Sequence, residues 1–314
     1  MLLAKRSEDV LGNGKMNNVV IGCLCALGCE VLFGLSYVFT KQAMGEVSAF
    51  SLLGWRFLVA FIVMTTLTAL HVVKIDLKGK SLRPLLLVAL FSPCLYFVGE
   101  TVGIDHTTAS ESGVFLACIP VVSLAASALV LKKKPSRLQV AGILIALAGV
   151  LMTVLAVGLS SSLSPIGYGF LVIAVVYYAL YTISVDRASE FNGMEITYVM
   201  LTAGAAVFVV LAFAEACAGN AVRELVTLPF HSPQFAIAVL YQGIGCSIGA
   251  FFLSNVAIAR IGVNRTVSFI GVSTIVSIVA GALILGESFT TWQAIGAAVI
   301  VAGVYIANAK VKTR

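Results

Sequence analysis

Charge is what this sequence has least of. Of its 314 residues only 11% are Asp, Glu, Lys or Arg, where a soluble chain carries roughly 25%. That deficit excludes an ordinary soluble globular domain. There is no GxxxxGK[ST] stretch, so nothing in the chain reads as a nucleotide-driven pump. There is no DDxxD or HExxH either, which argues against an intramembrane enzyme working on lipid-linked substrates. Histidine is scarce at three (His71, His106 and His231), each at the edge of an apolar run, so no metal centre and no cofactor is expected. The two tryptophans, Trp55 and Trp292, read as anchors at a membrane–water interface. The seven cysteines are odd in number and sit within or at the ends of apolar runs. They read as small buried apolar residues, not as disulfides or ligands; the Cys23, Cys25 and Cys29 cluster has no histidine or second cysteine pair near it in sequence.

What is abundant is apolar surface, at 60% of residues. Each apolar run of about 20 residues spans a hydrocarbon core of roughly 30 Å at 1.5 Å per residue. Ten such spans are expected: 18–40, 50–72, 82–103, 108–131, 138–157, 166–185, 194–217, 235–253, 262–285 and 292–309. The first follows a polar, basic segment but is long for a signal peptide and has no clear cleavage site, so it is expected to be retained. The stretch from Gly219 to Ser232 is expected to form a small interfacial turn. With the N-terminus in the cytoplasm, Lys5, Arg6, Lys15, Lys74, Lys78, Lys80, Arg83, Lys132, Lys133, Lys134, Arg137, Arg187, Arg260, Arg265, Lys310, Lys312 and Arg314 fall inside, against Lys41 and Arg223 outside. This bias places both termini inside, and an even number of spans agrees with it. The net charge of +6 therefore concerns membrane orientation and is no sign of a nucleic-acid partner.

The chain also repeats. At an offset of 154, the segment from Ser123 lies over that from Ser277, with identities at Ser123/Ser277, Ala128/Ala282, Leu131/Leu285, Gln139/Gln293, Gly142/Gly296 and Gly149/Gly303. Each half then holds five spans, and an odd number turns the second half upside down relative to the first. The expected fold class is an all-α membrane protein of ten transmembrane helices in two inverted five-helix repeats. The first repeat is assigned to residues 18–157 and the second to 166–309, with a cytoplasmic segment 1–17 and a basic tail 310–314.

Several stretches resemble the ten-span branch of the drug/metabolite transporter superfamily, with two copies of the EamA domain. FGLSYVFTK in span one is similar to the family's opening pattern, with Phe33 in a tryptophan's place. LLGWRFLVAF carries its Arg-Phe motif at Arg56 and Phe57. YFVGETVGIDHTTASESGVFLACIPV is similar to its third and fourth spans, with Pro120, and LGESFTTWQAIGAAVIVAGVYI to its ending, with Glu287. Lys133 replaces the corresponding acid in the first half. The resemblance implies a plasma-membrane transporter of small metabolites with a central cavity lined by spans one, three, four, six, eight and nine.

Within that frame, Glu30 is the leading candidate. A charged side chain at mid-depth costs roughly 2.5–3.5 kcal/mol on insertion scales, so it is expected to face the protein interior or water. Phe33, Gly34, Tyr37 and Lys41 share its helical face. Glu30 is expected to be a counter-charge for an amino or cationic group, or a proton carrier. Tyr96 and Glu100 share a face of span three near the outer mouth. Tyr177 and Tyr181 share a face in span six, beside Tyr178. Tyr241 and Gln242 lie in span eight, and with Phe33 and Tyr37 these aromatics would make a pocket suited to a cation. Asn255 is expected to close span eight near the cytoplasm, while Ser273, Thr274, Ser277, Cys118 and Pro120 would supply polar edges and freed backbone carbonyls. Glu111 reads as favourable to a helix N-terminus. Arg56 is expected to snorkel from the outer end of span two, or to pair with an acid, leaving no mid-membrane base. The reading is a non-enzymatic secondary transporter for an amino acid, amine or quaternary ammonium compound, working by alternating access, possible also with proton coupling. An exporter of drugs or of nucleotide- or sugar-type metabolites is the alternative; an enzyme or a channel is the reading from another class. The partners expected are the small-molecule substrate, the lipid bilayer and, as a homodimer, a second copy of the chain.

Overall fold

The computed structural model describes residues 2–43, 47–106, 115–155, 164–284, 286 and 290–309, with all of their side chains except those of 2–17, 37 and 40–43. The expectations for Glu111, Glu287, the tail 310–314 and the side chains of Tyr37 and Lys41 fall outside that set.

Every described element is helical. We number the spanning helices α1 (Leu2–Ala43), α2 (Ala49–Ala69), α3 (Arg83–Asp105), α4 (Phe115–Val130), α5 (Arg137–Leu155), α6 (Pro165–Arg187), α7 (Gly193–Ala218), α8 (Pro233–Ile261), α9 (Val263–Ile284) and α10 (Thr291–Asn308). Nine are long and apolar enough to cross a membrane among the described residues, and α4 is a shorter apolar helix. The apolar span of α1 is Asn18–Ser36, but the helix itself starts at Leu2. Between α7 and α8 lies a further helix, Val222–His231, with no buried residue, where a turn was expected.

Local chemistry sets the starts. Ser48 and Ser232 accept from the N–H groups of Ser51 and Phe235. Asn192 and Glu195 close a capping box on α7. Ser136 and Gln139 exchange bonds of 2.9 and 3.1 Å at the start of α5, and Thr290 and Gln293 exchange bonds of 2.8 and 3.2 Å at the start of α10. These two boxes are 154 residues apart, so the repeated glutamine is a helix-start device used twice. Gly262, at φ +77°, makes the turn from α8 to α9 in a region that favours glycine.

The packing obeys one exchange rule. α1 packs on α8 and α9, and α6 packs on α3 and α4; α2 packs on α7, and α5 on α10. Swapping each helix for the one five places along maps this set onto itself. The self-paired couples are antiparallel. A Cβ on Gly142 would stand 2.6 Å from the Gly303 carbonyl oxygen, and one on Gly149 2.7 Å from that of Gly296. Along α2, Gly54 meets Phe208 of α7 while Thr65 meets Tyr198. Equivalent helices running in opposite directions require a two-fold axis across the bundle, which is the inverted repeat expected from the five-span count.

Two equivalent helices, α3 and α8, contain wide turns, while α9 narrows to a 3-10 stretch at Val267–Phe269. α3 contains a wide turn at Leu90–Leu95, with Pro93 inside and Ser92 at φ −145°, ψ 127°. α8 is π-helical from Tyr241 to Ala250. Wide turns inside α-helices are frequent at functional sites. The core between the halves is aromatic, with Phe57, Phe97, Phe208 and Phe251 in mutual ring contact.

Candidate functional site

Glu30 lies on α1 and is 7% exposed. Its helix is held tightly against α9: a Cβ on Gly34 would stand 2.6 Å from Val276 Cβ and 2.7 Å from the Ser273 carbonyl oxygen. The Ser273 hydroxyl stands beside the carboxyl group, and the Tyr178 ring is in electrostatic reach of it. Phe33, one turn on, lies 6.1 Å from the ring of Phe251 on α8.

From there a polar and aromatic cluster runs across α3, α6, α7 and α8. The Tyr96 hydroxyl donates to Glu100 Oε1 at 2.6 Å. The rings of Tyr96 and Tyr178 are 5.4 Å apart and those of Tyr178 and Tyr181 5.5 Å, both edge-on, the arrangement that ring quadrupoles favour. The Tyr181 hydroxyl donates to Asn255 Oδ1 at 2.8 Å, and Asn255 Nδ2 donates to Thr197 Oγ1 at 3.1 Å. Asn255 is fully buried, so these bonds satisfy groups with no access to water.

Of the aromatics expected here, two take other partners. Tyr177 turns to Phe91 at 5.9 Å, and Tyr178 stands where the shared face of Tyr177 and Tyr181 pointed. Tyr241 donates to the Leu32 carbonyl oxygen at 3.0 Å and stacks on Phe39 at 4.2 Å. Trp55 donates to the Leu225 carbonyl oxygen at 2.9 Å and so ties down the short helix Val222–His231, whereas Trp292 is exposed. Gln242, 3% exposed, lies on the wide segment of α8.

The larger correction is Arg56. It does not snorkel, and among the described residues no ion pair includes it. It is 6% exposed. Nε donates to Ser247 Oγ at 2.7 Å, Nη1 reaches Gln242 Oε1 at 3.5 Å, and Nη2 is buried without a partner. The rings of Phe97, Phe57 and Phe251 surround its Cζ at 4.9, 5.3 and 5.9 Å. α2 enters the bundle seven residues before this position, about two turns of helix, too deep for the head to regain water past three phenyl rings. A mid-membrane base is therefore present. The one sequence signal was its place beside Phe57; nothing in the sequence showed that Phe97 and Phe251 would close over it.

At the basic end of the bundle, Lys80 pairs with Glu195 at 3.0 Å and Lys133 with Asp186 at 2.7 Å. A cavity of about 530 Å³ opens there between α2, α7 and α8, lined by residues including Lys74, Asn192, Phe252 and Arg260. None of the predicted site residues lines it. No group of three or more His, Cys, Asp or Glu side chains suited to a metal occurs among the described residues.

Comparison with known proteins agrees with this architecture. A crystal structure carrying no functional description is similar over 93% of this chain and 96% of its own, with a TM-score of 0.72 and 18% identity, which bears on the fold alone. The uncharacterized transporter YcxC of Bacillus subtilis (strain 168) is 31% identical over 287 residues, 91% of this chain and 92% of that protein. The uncharacterized transporter YetK of the same organism is 24% identical over 292 residues, 90% of this chain and 84% of its own. The EamA-like transporter family matches twice, over residues 20–155 and 165–309. Two family matches in tandem, on a bundle whose halves exchange under a two-fold axis, make this chain a member of the EamA-like transporter family and a multi-pass membrane protein.

Proposed function

We propose that the chain is a secondary transporter that moves a small solute bearing an amino nitrogen (an amino acid, amine or quaternary ammonium compound) by alternating access. The observation that carries this is the surroundings of Glu30: a buried carboxyl group on α1 with the Ser273 hydroxyl of α9 beside it and Tyr178 and Tyr181 of α6 in electrostatic reach. A buried acid with tyrosines nearby is chemistry suited to a nitrogen cation. Helices from both halves contribute, so a rocking of one repeat against the other would open the cluster to alternate sides. The two ion pairs at the basic end, Lys80–Glu195 and Lys133–Asp186, join one repeat to the other and would be contacts that break. Glu30 is also the proposed proton carrier. The plasma membrane is the proposed location, with both termini cytoplasmic, on the distribution of Lys and Arg.

The test is uptake into proteoliposomes of a solute first found by thermal shift, since a ligand that binds only the folded state raises its melting temperature. Glu30→Gln should lower affinity for the solute; unchanged affinity refutes the role of Glu30 in recognition. Equal rates with and without a pH gradient refute proton coupling.

A further inference from the structure

We propose that Arg56 is a carboxylate-binding subsite, so that the transported solute carries an acid group as well as an amino nitrogen. This deepens the preceding reading and rests on it for the amino group alone. The argument begins with an imbalance. Only Nε of Arg56 makes a short hydrogen bond, at 2.7 Å; Nη1 has one at the long limit of 3.5 Å, and Nη2 has none. The head is 6% exposed. A guanidinium so enclosed forgoes water and regains no partner at Nη2, a costly arrangement unless a ligand supplies one. Three phenyl faces give partial compensation and leave the Nη edge as the charged group still to be satisfied.

Neighbouring acids do not fill that role. Glu100 acts on Arg56 electrostatically but is hydrogen-bonded to Tyr96 at 2.6 Å, and no ion pair joins Glu100 to Arg56 among the described residues. The fork of an arginine matches a carboxylate in two parallel bonds. Phe251 touches both ends of the cluster: it packs on Arg56 and also on Phe33, one turn from Glu30. A base and an acid that share Phe251 and Phe33 as aromatic neighbours offer one group to each end of a zwitterion. A simple amine or a quaternary ammonium ion would leave Arg56 unpaired.

The experiment is a thermal-shift titration of the purified full chain in detergent with matched probes. These are phenylalanine, phenethylamine and 3-phenylpropionate; serine, ethanolamine and 3-hydroxypropionate; and choline. Wild type should bind at least one amino acid about tenfold or more tighter than its matched amine, and Arg56→Gln should remove that preference by weakening the amino acid far more than the amine. If Arg56→Gln does not fold, the wild-type comparison decides alone. Equal binding of amino acid and amine, or of choline alone, overturns the carboxylate subsite and leaves the amino-nitrogen reading standing. Binding of a carboxylate without its amine does the reverse. Silence from every probe overturns both.

Discussion

The glycine crossing of α5 and α10 makes a quantitative demand. A Cβ added at Gly142 would stand 2.3 Å from Ala307 N and 2.6 Å from Gly303 O; one at Gly296 would stand 2.5 Å from Thr153 Cγ2 and 2.8 Å from Gly149 O. Most of these obstructing atoms are backbone, so no rotamer change relieves them and the helices must separate. Overpacking of this kind costs about 1–3 kcal/mol, or on the order of 2–4 °C of Tm per kcal/mol. Gly169 on α6 has nothing within 4 Å, so Gly169→Ala should be neutral or stabilising by about 0.5–1 kcal/mol through helix propensity. Gly142→Ala and Gly296→Ala are two-fold equivalents and should cost similar amounts. The double variant Gly142→Ala/Gly303→Ala should cost less than the sum of its singles, because the first substitution already parts the helices. The assay is thermal unfolding in detergent, read by tryptophan fluorescence and by loss of the monodisperse peak. A Gly142→Ala protein as stable as Gly169→Ala would refute the close crossing, and a large inequality between Gly142→Ala and Gly296→Ala would refute the symmetry.

Asn255→Ala should lower stability by about 1–3 kcal/mol, because it strips partners from Tyr181 and Thr197 in a place water does not reach; chemical denaturation compares it with Tyr181→Phe, which removes one of the same bonds and should cost less. Lys80→Ala and Lys133→Ala should differ. Glu195, the partner of Lys80, is 3% exposed, whereas the Lys133 side chain is 55% exposed. Losing Lys133 should therefore cost about 0.2–1 kcal/mol and fade with salt, while losing Lys80 should cost more and fade less, a comparison that melting at two ionic strengths settles.

The fold was readable because the bilayer leaves few choices. Apolar run length counts the spans, and the 154-residue offset forces the inversion. That offset even held local detail: the matched glutamines are capping boxes, and the matched glycines meet across the axis. The site was readable only in part. Periodicity places side chains on a regular helix, and so it put Tyr96 and Glu100 on one face, where they share a hydrogen bond. It fails where the helix is irregular or where a partner helix decides. Tyr177 and Tyr178 share out the two sides of α6 according to where Phe91 and Tyr96 stand, and those positions depend on the wide turn in α3. Pro93 was the sequence sign of that turn. The π-helical stretch of α8 had only a glycine-rich composition to announce it. Arg56 was misplaced for the same reason: a base near a helix end looks like a surface group until three phenyl rings from other parts of the bundle enclose it.

The widened stretch of α8 works as a spacer in rotation. Each residue it accommodates beyond regular α-helix swings everything past it by about 100°. Gln242 and Ser247 meet the arginine head from separate turns of that stretch, so their shared aim depends on how many residues lie between them, not only on which ones. Shortening it by one residue, with every side chain that touches Arg56 retained, would turn one of those two away.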